Sequence, residues 1–384
     1  MFTQTDIFTA RTGGYWNYRV PGILCTSQGV ILATVEARRG SGGDWDGNDV
    51  LLRRSLDGGV TWQPPQRVVG CEAYGPGPVN NFVLIAGADG TVHALYCHNY
   101  SRVFSLRSRD DGATFSSPLE ITQTLAGFRE AYPWRVIATG PGHGIQLRGG
   151  RLLVPVWMSD GSGTEFGAGK LGHRPSAVAT IYSDDNGKTW QCGEIFAHSD
   201  GRIVNPSETL AVELDDGRVL CNIRSESPQN RRLIAISPDG ARDWSEPVFD
   251  DALLEPVCMG SLLRLRQPDA DGQGVYLFAN PDNLENELTP PGRNLAHDRK
   301  RLTVKRSRDD CASWPASRVL EEGPSGYSDL TEAADGTILC IYERGMLGHM
   351  TDPAAVCVAQ FDQKWLMGEN GAEFGEESGL GEGH

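Results

Sequence analysis

Residues 54–62 read Arg-Ser-Leu-Asp-Gly-Gly-Val-Thr-Trp, and inside them stands the form Ser-x-Asp-x-Gly-x-Thr-Trp. Serine and aspartate side chains two residues apart can bond the local backbone. The glycine supplies positive φ, and the closing aromatic can plug a gap against neighbouring structure. The stretch is a self-closing turn. It returns at Ser108–Phe115 and Ser183–Trp190, and in worn form at Ser237–Trp244 and Ser307–Trp314. In the fourth copy Ala241 and Asp243 occupy the glycine and threonine positions; in the fifth, Cys311 and Ser313 do. A single copy would carry little weight, but a series at wide intervals marks a repeat architecture. The aspartates of these turns are structural and are set aside as catalytic candidates.

Between the turns lies a second repeat, a glycine turn feeding a short apolar run. It is seen in Ser27–Arg38, Gly87–Asn99, Leu147–Ser159, Leu214–Glu226, Asp269–Pro281 and Ala333–Gly345. The turn glycines are Gly29, Gly90, Gly150, Gly217, Gly272 and Gly336, spaced 55 to 67 residues apart. Each unit reads as a hairpin leading into a buried strand. No helical period runs beyond a turn or two, and Gly323–Thr331 and Asp282–His297 read as irregular. The expected fold is all-β: a six-bladed β-propeller of four-stranded antiparallel blades over residues 1–367. An N-terminal strand at Asp6–Ala10, lying beside Ala355–Phe361, would close the ring.

Composition agrees. Glycine supplies 47 of 384 residues and proline 22, which favours a turn-rich β chain over a helical one. The net charge of −15 argues against a nucleic-acid partner, which would need a basic face. Part of that charge sits in residues 368–384, a glycine- and glutamate-rich segment read as a disordered acidic tail. With its five glutamates set aside the body is still acidic. No apolar run approaches the ~20 residues of a membrane span, and the N-terminus lacks the basic and apolar regions of a signal peptide. Nine cysteines without a CxxC pair include Cys25, Cys97, Cys221, Cys340 and Cys357 in apolar runs. They read as reduced buried thiols, and the chain as cytoplasmic. The scattered histidines suggest no metal site. Gly167-x-Gly169-x-x-Gly172 follows no strand and opens no helix, so it does not read as a dinucleotide loop. Asn99-Tyr-Ser is a glycosylation sequon that a cytoplasmic chain would leave unused.

The sixfold pattern and its turns, known as Asp boxes or BNR repeats, resemble the bacterial-type sialidase (neuraminidase) superfamily from residue 10 to about residue 366. Tyr18-Arg19-Val20-Pro21 matches the motif that opens that family. Glu208 and Arg224, sixteen residues apart in Pro206-Ser-Glu-Thr-Leu and Leu220-Cys-Asn-Ile-Arg, match a second, with Glu213 as the alternative glutamate. Arg299, ahead of Leu302-Thr-Val, matches the third arginine, with Arg301 and Arg293 as competitors. Tyr327 in Gly326-Tyr-Ser-Asp-Leu stands at the nucleophile position, and Glu343 resembles the glutamate that orients the first arginine.

The resemblance implies a retaining exo-glycosidase that removes terminal α-linked sialic acid without cofactor or metal. Arg19, Arg224 and Arg299 would grip the substrate carboxylate, for which guanidinium forks are suited. Tyr327 would attack the anomeric carbon with Glu208 accepting its proton. A neutral phenol avoids the repulsion that a carboxylate nucleophile would meet there. The acid would come from Asp44, Asp46 or Asp49, and Asp44 fits the family spacing best. Apolar Trp45 would raise its pKa toward neutrality. Arg38 resembles a further pocket arginine, while His143 reads equally as a pocket or an ordinary loop residue. Trp157 departs from the commoner pattern at a pocket-lining point, which leaves the sugar open between sialic acid, deaminated neuraminic acid and an eight-carbon keto-acid. A non-catalytic glycan-binding propeller is the remaining alternative; it predicts a missing arginine or nucleophile, and none is missing.

Overall fold

Strands such as Ile31–Arg38, Leu152–Ser159 and Ala355–Phe361 are buried along their whole length. They read as continuous apolar runs because each sheet is sandwiched between two neighbours and has no solvent face. A computed structural model describes residues 1–75, 77–288 and 297–368 of the chain. The acidic tail beyond Gly368 and the alternative arginine Arg293 lie outside the described residues.

Four separate antiparallel sheets form in sequence order, opening on Asn17–Cys25, Val79–Ala86, Val136–Thr139 and Thr209–Glu213. The third also carries the two-residue strand Ile145–Gln146. A fifth, seven-stranded sheet is two blades joined by one long strand, Ala316–Glu332. Its first half pairs with Lys300–Ser307 as the outer strand of blade five. From Ser325 onward it pairs with Ile338–Arg344 as the inner strand of blade six. The result is six four-stranded blades. The expectation that Gly323–Thr331 is irregular is therefore corrected. Its Gly-Pro-Ser-Gly composition marks a register shift between Ser325 and Ser328 where the strand changes sheets, not a loop.

The ring closes through Phe2–Thr9, which runs antiparallel to Ala355–Phe361 from Phe2 opposite Phe361 to Thr9 opposite Ala355. This is the pairing anticipated for Asp6–Ala10, extended four residues toward the N-terminus. Apolar clusters fill the spaces between blades, for example Ile23, Ile31 and Val35 of blade one against Leu339, Ile341 and Val358 of blade six. All nine cysteines are free, and Cys25, Cys97, Cys221, Cys340 and Cys357 are buried. No helix among the described residues is long and apolar enough to cross a membrane.

All six hairpin glycines adopt positive φ, between 80° and 93°. In the first self-closing turn Gly59 N donates to Ser55 Oγ at 2.8 Å, while Thr61 N and Oγ1 donate to Asp57 at 2.9 and 2.6 Å. The fifth copy keeps this pattern with Cys311 at φ 65° in the glycine's place. The fourth does not. There Gly240, one residue earlier, donates to Ser237 Oγ, and Asp239 accepts from Ala241 and Arg242. The sequence alignment of Ala241 with the glycine is thus off by one, because the backbone places positive φ where a glycine is available.

Each turn also braces the preceding blade. A methyl group on Gly59 would lie 2.6 Å from Leu339 Cδ2 and 2.5 Å from Gln360 Nε2, both of blade six. Gly58 also has positive φ but faces open space. Gly58→Ala should cost about 1 kcal/mol, from backbone strain alone. Gly59→Ala should cost about 2–3 kcal/mol, adding a clash across the closing interface. Paired thermal or urea unfolding curves check this; equal losses would mean that the blade-six contact adds nothing.

Candidate active site

The strand Asn17–Cys25 brings Arg19 to the end of the axis, where its guanidinium donates to both oxygens of Glu343, at 3.0 and 3.3 Å. The two residues are 324 positions apart, and the blade-one to blade-six junction unites them. The same carboxylate accepts Val20 N at 3.1 Å and Tyr327 N at 3.3 Å. Gly326 makes room for it, since a Cβ there would lie 2.3 Å from Glu343 Oε2. Glu343 therefore seats the first arginine and the tyrosine backbone together.

In blade four, Thr209 pairs with Ile223, which sets Glu208 beside Arg224 at the adjoining strand ends. Arg224 N donates to Glu208 O at 3.1 Å, so the sixteen-residue spacing is a hairpin register. Arg224 Nη1 donates to a Glu208 carboxylate oxygen and, at 2.9 Å, to the Tyr327 hydroxyl. The Tyr327 hydroxyl in turn donates to Glu208 Oε1. The guanidinium carbons of Arg19 and Arg299 each lie 5.2 Å from the centre of the Tyr327 ring. Three arginines from blades one, four and five thus converge on one tyrosine from blade six. Arg299 is 4% exposed and donates from Nη2 to Val257 O at 2.8 Å, yet its Nε and Nη1 have no partner among the described residues, nor does Arg224 Nε. Buried donors left open around a cationic cluster fit an anionic ligand.

The pocket above them measures about 260 Å³ and takes residues from all six blades. Arg19, Arg38, Asp44, Glu208, Arg224, Arg299 and Tyr327 all line it. The competitors sit elsewhere. Asp46 ties its own loop, accepting from Ser41 N, Ser41 Oγ and Gly43 N. Asp49 is buried against Tyr15, Arg39 and Cys71 N, at 2.6, 2.6 and 2.9 Å. Arg301 is exposed with φ 61°, and Glu213 bonds Arg148 at the surface. Among the described residues Asp49, Cys71 and Glu72 are close enough to share a cation, but the Asp49 oxygens are already engaged by those donors. His143 does not line the pocket. It lies buried, with Nδ1 2.7 Å from Asp329 Oδ1, an oxygen that also accepts Ser261 Oγ at 2.9 Å.

Charge in the pocket is set by these contacts. Burial, and then the charge of Glu208, raise the Tyr327 phenol well above its ordinary value, outweighing the three arginines, so the hydroxyl is neutral. Asp44 reverses an expectation. Burial raises its carboxyl, but Arg38, His173 and Arg19 together outweigh that and hold it well below the usual carboxylate range. Arg38 Nη1 is 2.7 Å from Asp44 Oδ1, while its Nε and Nη2 grip Glu36 at 3.0 and 2.6 Å. The expected rise from burial is present but outweighed, and the Trp45 ring packs on Tyr100 and His173, with centroids 5.0 and 5.9 Å apart.

Sequence reading missed one wall of the pocket. Between Ser159 and Ser176 a loop folds inward and contributes Glu165, Phe166, His173 and Arg174. The Gly167-x-Gly169-x-x-Gly172 pattern lies in this loop and serves its turns: Gly167 and Gly169 have positive φ, and a Cβ on Gly172 would strike Gly163. The available signal was the loop's length. Phe166, His173, Trp45, Tyr100 and Trp157 form an aromatic box in which Trp45 Nε1, Trp157 Nε1 and His173 Nε2 are buried without a partner among the described residues. Trp157 is thus at the pocket, as its strand position suggested.

The six-bladed propeller thus holds an arginine-rimmed, carboxylate-bonded tyrosine where its blades converge. The chain belongs to the BNR repeat-like domain family, which matches residues 29–340. It is similar to a sialidase of Micromonospora viridifaciens, 29% identical over 96% of this chain and 55% of the relative. A sialidase of Bacteroides fragilis is 27% identical over 87% of this chain and 61% of the relative. The chain therefore spans between half and two thirds of these curated relatives' length. Among solved structures, a Hadza microbial sialidase superposes with a TM-score of 0.76 at 25% identity, covering 95% of this chain and 69% of that one.

Two histidines provide a check on the charges. Burial lowers His143, but Asp329 more than compensates, so its folded pKa is raised; His173 is held down at about 4, chiefly by burial. His143 then stabilises the fold below the unfolded value of about 6.5, and that contribution is lost as pH rises through its folded pKa. His173 acts oppositely, costing stability as pH falls below about 6.5 toward 4. Histidine ring NMR should show His143 still protonated at pH 6.5 and His173 neutral down to about pH 4.

Proposed function

We propose that the chain is a retaining exo-glycosidase that hydrolyses terminal α-linked sialic acid from glycoconjugates. The observation that carries the reading is the neutral Tyr327 hydroxyl, bonded to Glu208 and ringed by Arg19, Arg224 and Arg299 with open N–H donors. Most retaining glycosidases use a pair of carboxylates, and sialidases with a tyrosine nucleophile depart from that pattern. The departure has a physical reason: the sugar bears a carboxylate on its anomeric carbon, which the arginines hold beside the nucleophile.

In the first step the Tyr327 oxygen bonds to the anomeric carbon and its proton passes along the existing hydrogen bond to Glu208 Oε1. Asp44 donates a proton to the departing glycosidic oxygen. In the second step Asp44, now a carboxylate, takes a proton from water as that water attacks the anomeric carbon. The Tyr327 oxygen leaves and recovers its proton from Glu208. Two displacements retain configuration. Asp44 is ionised in the free protein, so the substrate has to prepare its own acid. Its carboxylate offsets the positive charge of Arg19, and its ring excludes water, and both raise the Asp44 pKa.

The aromatic box favours an N-acylated sugar over its deaminated relative. Its apolar walls suit a methyl group, and the Trp157 indole N–H, buried at the pocket without a partner among the described residues, suits a carbonyl oxygen. The intact tyrosine–glutamate pair opposes a purely glycan-binding role, since a lectin has no use for a proton path at its floor.

Release of a fluorophore from an aryl α-sialoside tests the activity, and NMR of the first-formed sugar anomer tests retention. Tyr327→Phe should lower kcat by about 10³-fold, and Arg224→Ala should lower kcat/KM by about 10²-fold. Hydrolysis that survives both changes would refute the mechanism. The basic limb of the kcat profile should lie at higher pH than that of kcat/KM, because bound substrate raises Asp44. Coincident limbs would contradict that role. Parallel assay of N-acetylated and deaminated substrates should favour the former.

A further inference from the structure

We infer that Arg232 and Glu255, a buried ion pair behind the pocket wall, are positioning residues for Arg299 and act through the backbone carbonyl of Val257. This rests on the function proposed above for what Arg299 holds. Neither residue lines the pocket. Their side chains are 0% and 1% exposed, with Arg232 Nη1 2.6 Å from Glu255 Oε2. A buried pair of this kind contributes little to stability that a well-packed apolar pair would not, so its retention asks for another use.

The contacts point to one. Glu255 Oε1 accepts Cys258 N at 2.9 Å, and Arg232 Nη1 reaches Cys258 O at 3.2 Å. The guanidinium is itself aimed by Asn222, through Oδ1 at 2.6 Å and the carbonyl at 3.2 Å. The pair therefore clamps both ends of a tight turn that contains only Pro256 and Val257. Within it Val257 has φ 62°, a conformation that a β-branched residue holds only where its surroundings over-determine it. The turn sends the Val257 carbonyl to Arg299 Nη2 at 2.8 Å. That bond fixes one corner of the guanidinium and leaves Nε and Nη1 open. Continuing from the turn, Cys258 and Met259 pack against Val20 and Tyr327, so the same segment also walls the tyrosine.

Only an arginine held in one orientation can offer a ready fork to a carboxylate, and misplacement of about 1 Å is enough to weaken such a grip severely. Without the clamp, Val257 would relax from positive φ, its carbonyl would swing away, and Arg299 would lose its direction. A purely structural pair would lower stability and affect every ligand contact alike. A positioning pair affects the carboxylate grip through Arg299 alone.

The test is a double-mutant cycle. Glu255→Gln and Asn222→Ala, the latter removing the side chain that aims Arg232, are each made in the wild-type and in the Arg299→Ala background, with folding checked by thermal unfolding. The second variant leaves the ion pair intact, so it carries the same comparison if Glu255→Gln does not fold. Each single change should raise KM for an aryl α-sialoside by about tenfold, with kcat altered less than about threefold. Binding of N-acetylneuraminate, read by calorimetry, should weaken by the same factor. In the Arg299→Ala background neither change should move KM or binding by more than about twofold. Equal effects in both backgrounds, including any that run through Arg224 instead, would overturn the inference. So would a fall in kcat at constant KM. If the wild-type protein cleaves no sialoside, the proposed function fails, while the binding cycle still decides whether the clamp acts through Arg299.

Discussion

The pairing of Phe2–Thr9 with Ala355–Phe361 is the contact on which the rest depends. A blade has two apolar faces and cannot bury either alone, so the sheets are stable only as a closed ring. Closure unites the first and last blades, and their junction holds Arg19 against Glu343 and Glu343 against the Tyr327 backbone. The self-closing turns serve the same end from the rim, where Gly59 abuts Leu339 and Gln360 across that junction. Nothing local to Tyr18-Arg19-Val20 would hold the arginine in place. Its partner arrives from the far end of the chain.

The ring also explains how an acidic protein keeps a cationic centre. Arg19 is matched by Glu343, Arg38 by Glu36 and Asp44, Arg224 by Glu208 and Arg232 by Glu255. Each pair is buried enough to need its partner. Arg299 differs. A carbonyl oxygen rather than a carboxylate holds it, so among the described residues its charge has no carboxylate partner. The pocket thus carries positive charge beside a phenol that the same surroundings keep neutral.

Several features could be read directly from the chain. The six turn glycines are all at positive φ, and the first, second, third and fifth turns close through the Ser, Asp and Thr or Ser contacts that their spacing suggested. These signals lie within a few residues of one another, so local chemistry is sufficient. The reading failed where the decision was not local. Ser237–Trp244 shifts by one because the backbone uses Gly240, and Gly323–Thr331 becomes a strand because two sheets claim its two halves. The loop between Ser159 and Ser176 carries no apolar period, and only its fold over the pocket reveals Phe166 and His173 as lining residues.

The sequence by itself determined the β class, the sixfold repeat, the turn chemistry and a short set of charged candidates, because all of these are written in spacings of a few residues. Tertiary structure alone decided which candidates meet. It turned Asp44 into the pocket and engaged Asp46 and Asp49 elsewhere, and it buried Arg299 while leaving Arg301 exposed. It also decided charge. Asp44 stands beside Trp45 in the chain but answers in space to Arg38, His173 and Arg19, so its proton is lost rather than kept. A protonation state follows from the field of groups brought from several blades, and that field exists only once the ring is closed.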